Sequence, residues 1–308
     1  MLRPVGKGGL VIRKVVVPSA GLGTRLFPAT KEQPKEMLPI FTGMTNGKTN
    51  VTVKPLLQLV FEQLYDCGFR EFCFVVGRGK RAIEDHFTPD GNCVVTLKRK
   101  GKNGQASDLE SFYSKLKTSM LIWMNQPEPK GFGDAVLTTQ PFVQNEPFLV
   151  HAGDTYIISK KTAHLKTLMK IHERLKADAV FIVQEVDNPQ QYGVTEVDEA
   201  EKGVFRVKAV VEKPEKPPTN LAIMPIYLFN PIIFEALKKI SPGKAGEFQL
   251  TDAIQKLVKW DRTVYAIKLD PDALRLDIGS PETYWEALSS SYHYFCGGKS
   301  KDDRQNSR

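Results

Sequence analysis

The sequence predicts an α/β fold: a mixed β-sheet flanked by helices, with a smaller β subdomain late in the chain. Short apolar runs alternate with stretches of helical periodicity as far as Val186. The texture then changes at "YGVTEVDEAEKGVFRVKAVVEKP", where apolar and polar residues alternate around a Glu-Lys-Gly turn, as in an antiparallel hairpin with one solvated face. The 308 residues, 41% of them hydrophobic, suffice for a large core, and no internal repeat divides them.

Each element follows from its local pattern. "KVVVPSA" reads as the first strand, and "KPLLQLVFEQLYDCG" as a helix stopped by Gly68. "EFCFVVG" is a strand and "GKRAIEDHF" a short helix; "SMLIWMNQ" is a strand and "FGDAVLTTQPFV" a helix. "PFLVHAGDT" and "DAVFIVQEV" are strands bracketing the helical "KTAHLKTLMKIHERLK". After the hairpin come helices at "PIIFEALKKI" and "FQLTDAIQKLV", the latter capped at Thr251–Asp252, then the strand "TVYAIKL" and a last helix, "SPETYWEALSSSYHYF". Residues 1–13 read as an extension, 14–296 as one domain and 297–308 as a disordered polar tail. Trp123, Trp260 and Trp285 fall in strands or helices and read as core.

Composition narrows the classes of function. No apolar run reaches the roughly 18–20 residues of a membrane span, and "MLRPVGKGG" lacks the apolar stretch of a secretion signal. Cys67, Cys73, Cys93 and Cys296 form no C-x-x-C pair, which points to reduced thiols in a cytoplasm. The net charge of +8 raises nucleic acid as a partner. Its cations are dispersed, however, and the dense run "LKRKGKNG" reads as a solvated loop, so neither nucleic acid nor membrane is expected.

"VPSAGLGTRLFPATKEQPKEMLPI" is the stretch that carries chemistry. Glycines at the end of a strand let the chain turn sharply and approach a ligand closely, and the N–H groups of such a turn form an anion-binding concavity. Arg25 adds a forked cation, and Lys31 and Lys35 add point charges. No G-x-x-x-x-G-K-[ST] is present, so this is not a P-loop. The dinucleotide fingerprint fails as well, because Leu26 holds its third glycine position and Pro28 and Pro34 prevent an immediate helix. What remains is an extended loop draped over a triphosphate.

The string "AGLGTRLFPATKEQPKEMLPI" resembles the signature of sugar-1-phosphate nucleotidyltransferases, and within them the bacterial-type UTP–glucose-1-phosphate uridylyltransferases. The resemblance extends from about Lys14 to Tyr294 and implies a Rossmann-like nucleotidyltransferase fold whose β subdomain binds the sugar. It implies a nucleotide site at Ala20, Gly21, Gly23, Thr24 and Glu36, with Gln126 and Gly131 of "NQPEPKGFGDAV" on uracil. "VEKP" would give Glu212 to glucose hydroxyls and Lys213 to the sugar phosphate, and "QYGV" would set Gly193 beside the sugar. "VHAGDTYI" and "LRLDIGSPETYWEAL" would supply Asp154 and Asp277 for Mg²⁺. The implied substrates are UTP and glucose 1-phosphate, the products UDP-glucose and pyrophosphate, and the implied assembly a homo-oligomer.

The chain also departs from that pattern. It inserts "FTGMTNGKTNVTV" before "KPLLQ", has Asp134 where the family carries histidine, and writes its metal strand "HAGDT" as thymidylyl-transferring relatives do. Transfer of a thymidylyl group, or use of both nucleotides, is therefore the alternative, with a non-catalytic nucleotide-sugar sensor behind it. A sensor would be expected to lack a phosphate cation or a metal carboxylate, and neither is missing.

In the implied reaction an oxygen of the sugar phosphate attacks the α-phosphorus. A phosphate monoester is largely dianionic at pH 7, its second pKa being about 6, so no general base is needed. His86, His151, His164, His172 and His293 accordingly read as structural. Arg25, Lys35 and Lys213 would neutralise charge. Blander roles stay open: a turn for Asp154, a loop ahead of a Ser280 cap for Asp277, an exposed ion pair for Glu212 and Lys213, and a surface salt bridge for Glu36. A sugar contact from Glu247 is also open.

Overall fold

A computed structural model describes residues 12–43, 51–243 and 246–296. Almost all of the expected N-terminal extension and the whole polar tail lie outside these residues, as does the middle of the inserted segment. The first part of the chain forms β1 (Lys14–Pro18), β2 (Pro39–Gly43), β3 (Val51–Pro55), α1 (Leu56–Asp66), β4 (Glu71–Val76), α2 (Arg81–His86), α3 (Gly91–Arg99), α4 (Asn103–Lys117) and β5 (Met120–Asn125). Next come α5 (Phe132–Thr138), α6 (Gln140–Val143), β6 (Phe148–His151), β7 (Thr155–Ile158), α7 (Ala163–Leu175) and β8 (Ala179–Glu185). The chain closes with β9 (Gly193–Glu201), β10 (Val204–Glu212), β11 (Leu221–Phe229), α8 (Ile232–Leu237), α9 (Leu250–Lys259), β12 (Val264–Lys268), β13 (Leu274–Asp277) and α10 (Pro281–Cys296).

Nine strands make one mixed sheet in the order β5-β4-β1-β6-β11-β8-β12-β10-β9. β1 is parallel to both neighbours, with Val16 opposite Cys73 on one side and Val150 on the other. Its run of buried residues is what a strand covered on both faces requires. Val15 and Val17 pack under α1, α4 and α7, whereas Val16 packs under α5, α8 and α9. On the first of these faces Phe61 of α1 meets Phe72, Phe87 and Phe112 at ring separations of 4.8, 5.5 and 5.9 Å. α1 ends as expected at Gly68 (φ 104°), where the Phe69 amide returns to Leu64 O.

Several expectations need correction. Residues 91–117 form α3 and α4, and the lysine-rich run spans the end of one and the start of the other instead of a plain loop. "FGDAVLTTQPFV" is two helices, because Pro141 begins a new one. Trp285 is 69% exposed, not core. The β9–β10 hairpin is present, with Gly203 (φ 74°) in its turn, but it extends the main sheet and forms no sheet of its own. β11 runs through the centre of the sheet although it contains Pro225, which no local pattern favours. A register irregularity between Met224 and Tyr227 accommodates it, and Pro225 O still accepts from the Ala152 amide.

Candidate active site

The loops after the parallel strands β1 and β6 meet at their C-terminal ends, the usual position of a ligand crevice in an open α/β sheet. After β1 the chain turns through Ser19 and Ala20 and closes on Gly23, whose φ of 66° is left-handed. Gly23 O accepts from the Leu26 amide and from Thr30 Oγ1 at 2.8 Å, so the loop is held by itself. Two short 3₁₀ turns, Thr24–Leu26 and Lys35–Met37, follow before β2; the loop does not lead into the N-terminus of an α-helix. Gly21 differs from Gly23, because its backbone is not left-handed and a Cβ there would meet nothing within 4 Å. No packing demand of the protein calls for glycine at that position. Arg25 is exposed, with no hydrogen-bond or ion-pair partner among the described residues, and it reaches to within 3.2 Å of where a Gly279 Cβ would stand.

Asp154 follows β6, and Asp277 ends β13. The pairing of β7 with β13 sets Thr155 opposite Asp277, and the Ile278 amide donates to Asp154 O, so the two carboxylates share one corner. Lys35 Nζ forms an ion pair with Asp154. Burial alone would raise the Asp154 carboxyl, but Lys35 outweighs it and holds the group below the usual carboxylate range. Burial and the Asp154 charge push Asp277 upward, although it accepts from the Gly279 amide at 2.7 Å. For Lys35, burial opposes protonation, but Asp154, Glu36 and Asp277 together raise its pKa.

Glu36, left open between a surface salt bridge and the base, lines the cleft and makes a salt bridge that is buried, not on the surface. It is 1% exposed, and its Oε2 accepts from the equally buried Lys80 at 2.7 Å. Burial raises its pKa against that lysine. Sequence reading missed Lys80, which lies 44 residues away, beyond any local signal.

The opposite wall is pinned. Gln126 Nε2 donates to Gly131 O at 3.1 Å and to Asp134 Oδ2 at 2.7 Å. Gly131 has φ 107°, and a Cβ there would stand 2.7 Å from Phe248 O, so its glycine has a packing reason of its own. A Cβ on Gly193 would stand 2.7 Å from Thr251 Cγ2 and 3.0 Å from Glu212 Oε2. Thr251 is no helix cap: Gln249 stands at the cap of α9, and Thr251 Oγ1 donates to Glu212 Oε2 at 2.8 Å. Lys213 is half-exposed, 3.4 Å from Glu212 Oε1, with a left-handed φ of 40°. Arg275 was also missed. It lines the cleft, donating to the Tyr192 hydroxyl at 3.2 Å, and the two-residue strand period from Asp277 was the signal for it.

Every residue that the resemblance assigns to the site lines one cleft of about 980 Å³, whereas Lys31 lies outside it, paired with Glu32 on the surface at 3.6 Å. None of the histidines lines the cleft. His86 bonds Gln58 at 2.9 Å, His172 bonds Asn230 at 3.1 Å, and buried His151 and His164 each donate or accept through Nδ1 only. Among the described residues no helix is long and apolar enough to cross a membrane, and the cysteines are unpaired.

A cleft at strand C-termini with a glycine–cation loop facing two carboxylates has the chemistry to hold phosphate groups. The chain belongs to the nucleotidyl transferase family, whose model matches residues 14–292. It is 39% identical to a UTP–glucose-1-phosphate uridylyltransferase of Bacillus subtilis over 272 residues, covering 87% of each chain. A UDP-glucose pyrophosphorylase solved with UDP-glucose superposes with a TM-score of 0.78 at 33% identity, covering 92% of this chain and all of the other. The UTP-bound enzyme of Acinetobacter baumannii gives 0.78 at 27% identity, over 92% of this chain and 94% of that one.

Proposed function

We propose that the protein is a UTP–glucose-1-phosphate uridylyltransferase. The convergence of the Gly21–Lys35 loop, the Asp154–Asp277 corner and the Glu212–Lys213 strand end in one cleft carries this reading. The named relatives weight the base toward uracil over thymine. In this reading Ala20, Gly21, Gly23 and Thr24 wrap the triphosphate, Gly21 being glycine because the ligand, not the protein, fills the space beside it. Arg25 and Lys35 offset charge on the α-phosphate and the leaving pyrophosphate. Lys213 orients the attacking phosphate, Glu212 and Gly193 take the sugar, and Gln126 and Gly131 face uracil. Glu36, with its carboxylate given to Lys80, supports the loop from below.

The Asp154–Asp277 corner fits Mg²⁺: both donors are hard oxygens, and a cation there would offset the burial and the Asp154 charge that push Asp277 upward. Mg²⁺ held there would supply Lewis acidity to phosphate oxygens. The chain's own residues position two anions and neutralise them, and with no histidine on the cleft the substrate's dianionic phosphate needs no base. Self-association is proposed as well, supported by exposed Trp285, Tyr292 and Tyr294 on α10 and testable by sedimentation.

The test is pyrophosphate release from glucose 1-phosphate with Mg²⁺ and UTP, dTTP, ATP, CTP or GTP offered separately. Strong turnover with UTP, lost in Asp154→Ala, is the expected result. Equal turnover with dTTP would widen the base assignment, and no turnover with any nucleotide would overturn the reading.

A further inference from the structure

We infer that Asp134 is a specificity-determining positioning residue, which locks the Gln126 amide with its oxygen toward the nucleotide base and so selects a base that carries a ring N–H. The inference rests on the reading that Gln126 faces the base. A glutamine amide has two faces of opposite character, and a site that reads a base with it must prevent it from flipping. Here both hydrogens of Nε2 are spent on the protein, one on Gly131 O at 3.1 Å and one on Asp134 Oδ2 at 2.7 Å. A carbonyl and a carboxylate can only accept, so a flipped amide would set oxygen against two acceptors. The orientation is therefore fixed by chemistry and not by a choice between equivalent atoms.

Gln126 is 4% exposed and lines the cleft, and no described donor occupies its Oε1. The oxygen is thus the amide atom left for a ligand. An acceptor held there matches the N3–H of uracil or thymine, whereas cytosine presents a lone pair at N3. Asp134 is also the position at which this chain leaves the histidine of the family it resembles. An imidazole nitrogen can donate or accept according to its tautomer, and would leave the amide free to turn. A carboxylate removes that freedom, although Asp134 itself need not touch the nucleotide.

Equilibrium binding of UTP and CTP to the full chain is the first arm of the test, with pyrophosphate-release kinetics on Asp134→Asn and Asp134→Ala as the second. Wild type is expected to bind UTP at least about tenfold tighter than CTP, the effect of one hydrogen bond left facing a like group. Asp134→Asn, which can turn its own N–H₂ toward Gln126, should lower kcat/KM for UTP about 10–100-fold through KM. CTP should be spared, so the UTP:CTP ratio falls. Asp134→Ala, with Gly131 O as the remaining anchor, should lie between. Equal binding of the two nucleotides by wild type, or variants that lose UTP and CTP by the same factor, would overturn the role of Asp134. Absence of turnover by wild type would instead overturn the proposed activity, while the binding ratio still reports on the amide.

Discussion

The loop from Ala20 to Lys35 and the wall formed by Gln126, Gly131, Gly193, Glu212 and Thr251 face the same cleft but are built on opposite plans. In the loop, Arg25 has no described partner and Gly21 stands beside open space. In the wall, Gln126 and Glu212 are tethered by neighbours, and the glycines are crowded to within 3 Å of protein atoms. The difference matches what each part has to recognise. A phosphate chain is read by charge, which acts over several ångströms and tolerates small errors of placement. A base or a sugar is read by hydrogen-bond donors and acceptors, whose geometry must be fixed before the ligand arrives. Mutations should therefore separate the two: changes at Gly21 and Arg25 of the loop should affect function and spare stability, while changes in the wall should affect both.

Arg25→Ala should give the largest effect. Removing one preorganised charge typically costs ~10²–10³ in rate, and an exposed side chain without partners should leave the thermal midpoint where it was. A lowered midpoint would mean that Arg25 is structural and that the loop is no different from the wall. The paired glycines test the same contrast more directly. Gly131→Ala must accept a left-handed backbone and a Cβ 2.7 Å from Phe248 O, so unfolding should be easier by about 1–3 kcal/mol. Gly21→Ala should unfold like wild type but bind UTP at least about tenfold more weakly, measurable by titration calorimetry. Should Gly21→Ala keep its affinity, the ligand does not occupy the space assigned to it.

Thr251→Val keeps the shape of the side chain and removes the hydrogen bond to Glu212. With the carboxylate released, KM for glucose 1-phosphate should rise roughly tenfold and KM for UTP should hold, since a hydrogen bond to a charged group is worth about 1.5–3 kcal/mol. Equal rises in both constants would place Glu212 elsewhere than on the sugar side.

How far the sequence could be read follows the same division. Gly21–Arg25, Lys35, Asp154, Glu212–Lys213 and Asp277 lie at strand ends or turns, where short local motifs carry both backbone geometry and chemistry, and all of them line the cleft. What holds them was not legible. Lys80 under Glu36, Asp134 beside Gln126 and Thr251 on Glu212 are partners chosen by tertiary packing, and neither composition nor period announces them. β11 was hidden for a different reason: Pro225 argues locally against a central strand, and only the bulge and the Ala152 amide make it tenable. α3 and α4 were hidden by their exposure, since Val94 alone is buried in α3 and its surface lysines read as loop.

Behind the cleft, the buried histidines give the smallest effect and separate stability from chemistry by pH. His164, 6% exposed, bonds Ser159 Oγ at 2.6 Å, and its Nε2 has no described partner. Burial, with a smaller contribution from His151, lowers its pKa from 6.5 to about 3. Burial likewise lowers His151 to about 4. A depressed histidine pKa means that the unfolded chain binds a proton which the folded chain refuses. The stability it allows is complete above pH 6.5 and is lost as the pH falls toward the folded values. Each such group costs up to about 1.4 kcal/mol per pH unit in that window. Denaturant unfolding should accordingly show a steep loss between pH 6.5 and about 4, and His164→Asn, although less stable at pH 7, should show a shallower one. If wild type and His164→Asn lost stability in parallel, the acid sensitivity would have to come from the other groups held below their ordinary pKa, His151, His86 and His172 in the core and Asp154 in the cleft. A loss that vanished in Asp154→Asn would then couple stability and charge recognition through one group instead of dividing them between the core and the site.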